Sequence, residues 1–136
     1  MKRILGIDFG MKRTGIAITD ENNIIASGLT TVLTKEVMTF LTKTVKEKNV
    51  GTLVLGEPKR LNMEDSHSSQ NVRLFKEALD KQFPDLNIVM MDERFTSKMA
   101  MQSLIAGGVS KKKRQQKELI DEVSATIILQ SYMSSI

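Results

Sequence analysis

The chain has 136 residues, 40% of them apolar and 26% charged, with a formal net charge of +4 at pH 7. That length suits one domain with a single sizeable core, and no apolar stretch approaches the roughly 20 residues of a membrane-spanning helix. The absence of cysteine excludes disulfides and thiolate metal sites. The start "MKRILGIDFG" has too short an apolar run for a secretory signal, so a cytoplasmic protein without a membrane partner is expected.

In chain order, "RILGIDF" and "TGIAITD" read as strands joined by the short link "MKR". "ENN" marks a turn and "IIASGLTTV" a third strand. Short links require antiparallel neighbours, because parallel ones need a long crossover. From Thr34 to Asn49 the period changes: Val37, Phe40, Leu41 and Val45 fall at helical spacing, with Thr34 placed to cap. "GTLVLG" is a buried strand, and residues 57–68 a polar loop. Val72, Phe75, Leu79 and Phe83 mark a second helix, ended by Pro84, and "LNIVMMD" a fifth strand. "TSKMAMQSLIAGG" predicts a helix stopped by its glycine pair. "KELIDEVSATIILQSYM" predicts a last one, with Leu119, Ile120, Val123, Ile127 and Ile128 inward. The order β-β-β-α-β-α-β-α-α, without repeat or linker, predicts one α/β domain over residues 1–136. Its mixed sheet has three antiparallel strands, then two parallel ones, with helices on both faces.

Three acidic positions are oddly placed. Asp8 lies within an apolar strand, Asp92 and Glu93 close the fifth strand, and Asp121 interrupts the apolar last helix. Asp121 shares a helix face with Ser124 and Ala125. Small side chains there let the helix lie close to the sheet, bringing Asp121 toward Asp8. Carboxylates that converge persist only with a cation between them. Oxygen donors without His or Cys select Mg²⁺ or Mn²⁺, and a pair of such ions about 4 Å apart is a device for attack on a phosphodiester. Taken singly, each acid is more commonly a solvated or capping residue, and Asp121 could simply pair with a lysine of "KKKR". His67, in the polar loop, reads as solvent-facing. "KKKRQQK" at 111–117 gathers five of the twenty basic residues. By itself it is a solvated loop; beside a phosphodiester site it tracks phosphates.

Four stretches, "GIDFGMKRTGIAI", "LVLGEPKRLNMED", "MDERFTS" with the downstream "GG", and "KKKRQQKELIDEVSATIIL", resemble the YqgF (RuvX) group. That group comprises Holliday-junction resolvases and pre-16S ribosomal RNA nucleases of the ribonuclease H-like superfamily. The resemblance implies a ribonuclease H-like fold and a hydrolase acting on structured RNA or branched DNA. It implies Asp8, Glu93 and Asp121 as catalytic acids that bind metal. It makes Arg13 and Arg94 candidates for phosphate contact, together with Lys111, Lys112, Lys113, Arg114 and Lys117. Glu57 stands where the group commonly has an apolar residue, and is either a surface substitution or an additional acid. "NMED" replaces the usual "NMDG". Asp92 could present its side chain to metal in place of Glu93. Cleavage of a four-way junction would favour a homodimer on symmetry grounds. Two other readings compete: a nucleic-acid-binding ribosome-assembly module without cleavage, and an actin-like ATP-binding domain suggested by "DFGMKRTG". The second needs two such domains, and the chain has length for one.

Overall fold

Arg3–Asp8 (β1), Arg13–Thr19 (β2) and Ala26–Leu33 (β3) form the antiparallel meander that their short links require. A 3-10 turn at Thr34–Glu36 leads into α1, Val37–Glu47. This crossover brings β4, Val50–Pro58, parallel to β1. A second crossover through α2, His67–Gln82, sets β5, Asn87–Glu93, parallel to β4. The sheet order is β3-β2-β1-β4-β5, and the last helix, α3, spans Lys117–Ser135. The computed structural model describes residues 2–58, 67–93 and 117–136, without the side chains at 57–58, 67–69, 92–93 and 117–119. The expected helix at 96–108, Arg94, residues 111–116 of the basic loop, and the side chain of Lys117 therefore lie outside the described residues. No described helix is long and apolar enough to cross a membrane.

The two faces of the sheet carry layers of different thickness. On one, Leu5, Ile7, Ile16, Leu53 and Leu55 meet Val37 and Leu41 of α1, and Val72, Phe75 and Leu79 of α2. Every apolar position predicted for those two helices is buried or packs on this core. On the other face, Ile4, Ala17 and Val54 meet Ala125, Ile128 and Leu129 of α3. This layer is thin because the sheet offers glycine under the helix. A Cβ on Gly6 would stand 2.7 Å from both the Ala125 carbonyl oxygen and Leu129 Cβ, and one on Gly15 would collide with the Asp121 backbone. The stripe that α3 buries is Ser124, Ala125, Ile128 and Leu129. Ile120, Val123 and Ile127, expected inward, are only half-buried. Close approach over Gly6 and Gly15 favours the face that carries Ser124 and Ala125 beside Ile128 and Leu129 over the one that carries Val123 and Ile127.

Three local expectations are corrected. Ile24 and Ile25 precede β3 and are exposed. Their N–H groups instead donate to Asp20 Oδ1, at 2.6 and 2.8 Å, closing a turn in which Asn23 has φ 55°. Thr34 does not cap a helix. Its hydroxyl donates to the Gly10 carbonyl at 2.6 Å and lies 2.9 Å from the Thr14 hydroxyl, while its N–H donates to the Lys12 carbonyl. Thr34 therefore anchors the β1–β2 connection. Of the expected polar loop at 57–68, residues 57–58 belong to β4 and α2 begins at His67.

The Asp20 turn carries a pH signature. The backbone N–H of Ile25, with those of Ile24 and Asn22, holds the Asp20 carboxyl below its ordinary value of 3.8. A depressed folded value means stability that is present above pH 3.8 and lost as pH falls through the folded value. Asp20→Ala is expected to melt below the parent at pH 7, with the gap narrowing below pH 3.8. Thermal melts across pH 2 to 7 check this, and a gap that is constant with pH contradicts it.

Candidate active site

Strand alternation sorts the acidic positions by face. Ile4 and Gly6 lie against α3, so Asp8, two residues on, faces α3 as well. On β2, Arg13, Gly15 and Ala17 share that face. Asp8 is the register partner of Gly15, which puts their Cα atoms about 5 Å apart. Asp121 rides directly over Gly15, its own Cβ 3.0 Å from where a Gly15 Cβ would stand. Asp8 of the central strand and Asp121 of α3 are thus brought to one spot, at the carboxyl end of β1. Glycine at position 15 lets them meet, since any side chain there would lift the helix. The Gly10 position answers a different need, because a Cβ there would strike the Arg13 carbonyl oxygen and open the turn.

Arg13 belongs to the same cluster. Its Nε lies 3.4 Å from Asp121 Oδ2, and both side chains are about three-quarters buried, at 27% and 25% exposure. The contact is an ion pair without a hydrogen bond. Arg13 Nε is buried and has no hydrogen-bond partner among the described residues, and neither does the Ser124 hydroxyl one turn along α3 from Asp121. A buried N–H or O–H without a partner costs about 1–3 kcal/mol. Arg13 Nε, beside the Asp121 carboxylate, can therefore take a further acceptor. Ser124 was legible from the sequence only as a small residue; its hydroxyl gave no separate signal.

Parity also separates the remaining acids. On β5, Ile88 and Met90 pack on the α1/α2 core and Met91 on the α3 layer. Position 93 therefore has the parity of Met91, and position 92 that of Met90. On β4, Leu53 and Leu55 belong to the α1/α2 core and Val54 to the α3 layer, so position 57 has α1/α2 parity. Backbone register pairs Glu57 with Asp92 and Pro58 with Glu93, and Leu55, two positions earlier, pairs with Ile7 of β1. The carboxyl ends of β1, β4 and β5 thus lie side by side, where parallel sheets place their ligands. Among the described residues no three metal-ligating side chains are gathered. The donors at this spot, the Asp8 and Asp121 carboxylates, are hard oxygens in a chain without cysteine. That set fits Mg²⁺ or Mn²⁺.

Two other cavities among the described residues contribute nothing to this cluster. One of about 500 Å³ lies at the opposite end of the sheet, among Arg3, Glu21, Glu47 and Lys48. Another, of about 390 Å³, opens on the far face between α1 and α2, beside the stacked rings of Phe9 and Phe75, whose centroids are 4.5 Å apart.

Comparison with known proteins finds likeness along nearly the whole chain. The family described as "RuvX: Holliday junction resolvase" matches residues 2–135. A Flavobacterium johnsoniae protein named "Putative pre-16S rRNA nuclease" is 51% identical over 135 residues, covering 99% of this chain and 98% of that one. A Bacteroides fragilis protein of the same name is 48% identical over 135 residues, with the same coverage of both chains. Among solved structures, Thermus thermophilus RuvC in complex with a Holliday junction substrate superposes with TM-score 0.58 at 13% identity, covering 99% of this chain and 98% of that one. The yeast mitochondrial Holliday junction resolvase gives TM-score 0.55 at 10% identity, covering 97% and 78%. Likeness at that identity establishes the fold, which is ribonuclease H-like.

Proposed function

Given that the chain belongs to the RuvX family of Holliday junction resolvases, we propose that it is a cytoplasmic nuclease using Mg²⁺ or Mn²⁺ to hydrolyse phosphodiester bonds in structured nucleic acid. Pre-16S ribosomal RNA ends and four-way DNA junctions are its two candidate substrates. The observation that carries this reading is the meeting of Asp8 and Asp121 over Gly15. Asp8, Asp121 and Glu93 would hold the metal. Glu93 is preferred over Asp92 and Glu57 as third acid because its position has the strand parity of Asp8's face. A bound divalent ion supplies a nucleophilic water at neutral pH and stabilises the leaving oxygen. The carboxylates hold their fixed positions through β1 and the close-packed α3, so that little reorganisation accompanies reaction. Arg13, and Arg94 directly after Glu93, would meet the non-bridging oxygens of the phosphate. Products would carry 5′-phosphate and 3′-hydroxyl ends. On a four-way junction, two copies would be required for symmetric cuts.

The test is a cleavage assay on end-labelled precursor RNA and on a four-way junction, with Mg²⁺, Mn²⁺ or chelator. Metal-dependent cuts in either substrate support the reading, and their end chemistry tests the mechanism. Binding without cleavage under every condition would instead favour a non-cleaving assembly role. The basic stretch gives a separate prediction. Replacing Lys111, Lys112, Lys113 and Arg114 with Ala is expected to weaken binding and flatten its salt dependence. On duplex DNA the log–log slope falls by about 0.9 for each phosphate contact removed. An unchanged slope returns these residues to ordinary solvated surface.

A further inference from the structure

Arg13 is held in place more firmly than a side chain that only awaits phosphate. The β1–β2 connection behind it is fixed by Thr34, which bonds to the Gly10 and Lys12 carbonyls and to the Thr14 hydroxyl. Its guanidinium lies against Asp121 with Nε 3.4 Å from the carboxylate, yet makes no hydrogen bond through Nε within the described residues. At Nε this is charge compensation without a hydrogen bond. A permanent structural salt bridge of a partly buried arginine would use its fork to pair directly with the carboxylate. Here a positive charge stands beside an acidic pair, and its buried Nε–H remains available to another acceptor.

We propose that Arg13 is the built-in counter-ion of the acidic site, competing with the divalent cation for Asp121. With no metal bound, the guanidinium offsets the repulsion between Asp8 and Asp121 and lets α3 seat on Gly15. When a divalent cation binds, it takes over that neutralising role, and the guanidinium leaves Asp121. Its Nε–H then becomes available to an acceptor such as a phosphate oxygen. Arg13 thereby lowers the affinity for free metal, and is a positioning residue for the carboxylates. This inference rests on the metal-site reading above, and its test separates the two.

The experiment measures Mn²⁺ binding by titration calorimetry, and melting temperature in chelator, for the parent, Arg13→Gln and Arg3→Gln. Arg3 pairs with Glu21 at 3.2 Å at the far end of the sheet, so its variant makes the same net-charge change away from the site. The expected result is that Arg13→Gln binds Mn²⁺ about two- to fivefold more tightly than the parent, while Arg3→Gln does not. Arg13→Gln should also melt lower in chelator and recover more on adding Mn²⁺. The double variant Arg13→Gln, Asp121→Asn should regain the chelator loss, which tells charge compensation from misfolding. If the parent binds Mn²⁺ and Arg13→Gln binds it equally or more weakly, the counter-ion proposal is overturned and the metal site stands. If neither protein binds Mn²⁺, both readings fall. Binding gained only in Arg13→Gln supports the proposal in its strongest form.

Discussion

Asp8→Asn is expected to reduce cleavage by about a hundredfold or more while leaving the melting temperature in chelator within a few degrees of the parent. The amide keeps the size and one acceptor oxygen of the carboxylate but removes its charge, and with it the main attraction for a divalent ion. Ligand that binds only the folded state stabilises it by RT ln(1 + [L]/Kd). With Mn²⁺ at a hundred times the parent Kd, that amounts to about 2.7 kcal/mol, on the order of 10 °C for a chain of this size. If the amide weakens affinity a hundredfold, the gain falls to about 0.4 kcal/mol, or roughly 2 °C. A structural carboxylate predicts another pattern. Were Asp8 only a partner in the fold, Asn would cost about 1–3 kcal/mol with or without metal. Melting curves of the parent, Asp8→Asn, Asp121→Asn and Glu57→Gln, each in chelator and in Mn²⁺, distinguish the two. Glu57→Gln is the internal control, because position 57 has the strand parity of the opposite face. An Mn²⁺ gain in Asp8→Asn equal to the parent's would remove Asp8 from the metal site, and a lost gain in Glu57→Gln would add position 57 to it.

The sheet order was legible because connection length alone decides direction. "MKR" and "ENN" are too short for anything but antiparallel neighbours, whereas α1 and α2 give β4 and β5 the crossovers that parallel pairing needs. The α1 and α2 faces were legible for a similar reason, as large aliphatic and aromatic residues at helical spacing dominate a thick core. The burial of α3 was read less well. Hydropathy favoured Val123 and Ile127, but the sheet beneath carries Gly6, Gly15 and Ala17, and the helix turns the face of Ser124, Ala125, Ile128 and Leu129 onto it. Hydropathy ranks transfer out of water, while this contact is limited by volume. That same fit was the legible part of the candidate site, since Ser124 and Ala125 beside Asp121 already pointed to close packing. The pairing of Arg13 with Asp121 was not legible. Both residues had separate motif readings, and nothing in either motif encodes that β2 passes beneath the first turns of α3.

Gly15→Ala is expected to be among the most costly single substitutions in the chain, although it adds only one methyl group. The new Cβ would collide with the carbonyl group of Asp121, and its nearest side-chain contact would be Asp121 Cβ at 3.0 Å. Backbone cannot rotate away as a side chain can, so α3 must lift from the sheet or β2 must bend. Overpacking of this kind costs about 1–3 kcal/mol, occasionally more, and the upper end is expected here because the collision is with backbone rather than with a side chain that can turn away. The melting temperature should fall by roughly 10 °C. Gly28→Ala is the matched control on β3 under the same helix. Its Cβ would stand 3.4 Å from Glu122 Cβ and 3.6 Å from Glu122 Oε1, ordinary contact distances. Alanine there should change stability little, or raise it by about 0.4–1 kcal/mol through the unfolded chain's lost freedom. The functional consequence follows from the same displacement. Lifting α3 carries Asp121 away from Asp8, so Gly15→Ala should also lose most of the stabilisation by Mn²⁺, although every carboxylate is retained. Melts of the two variants in chelator and in Mn²⁺ provide the comparison. If Gly15→Ala melts with Gly28→Ala and gains as much from Mn²⁺ as the parent, the close seating of α3 is not what brings the two acids together.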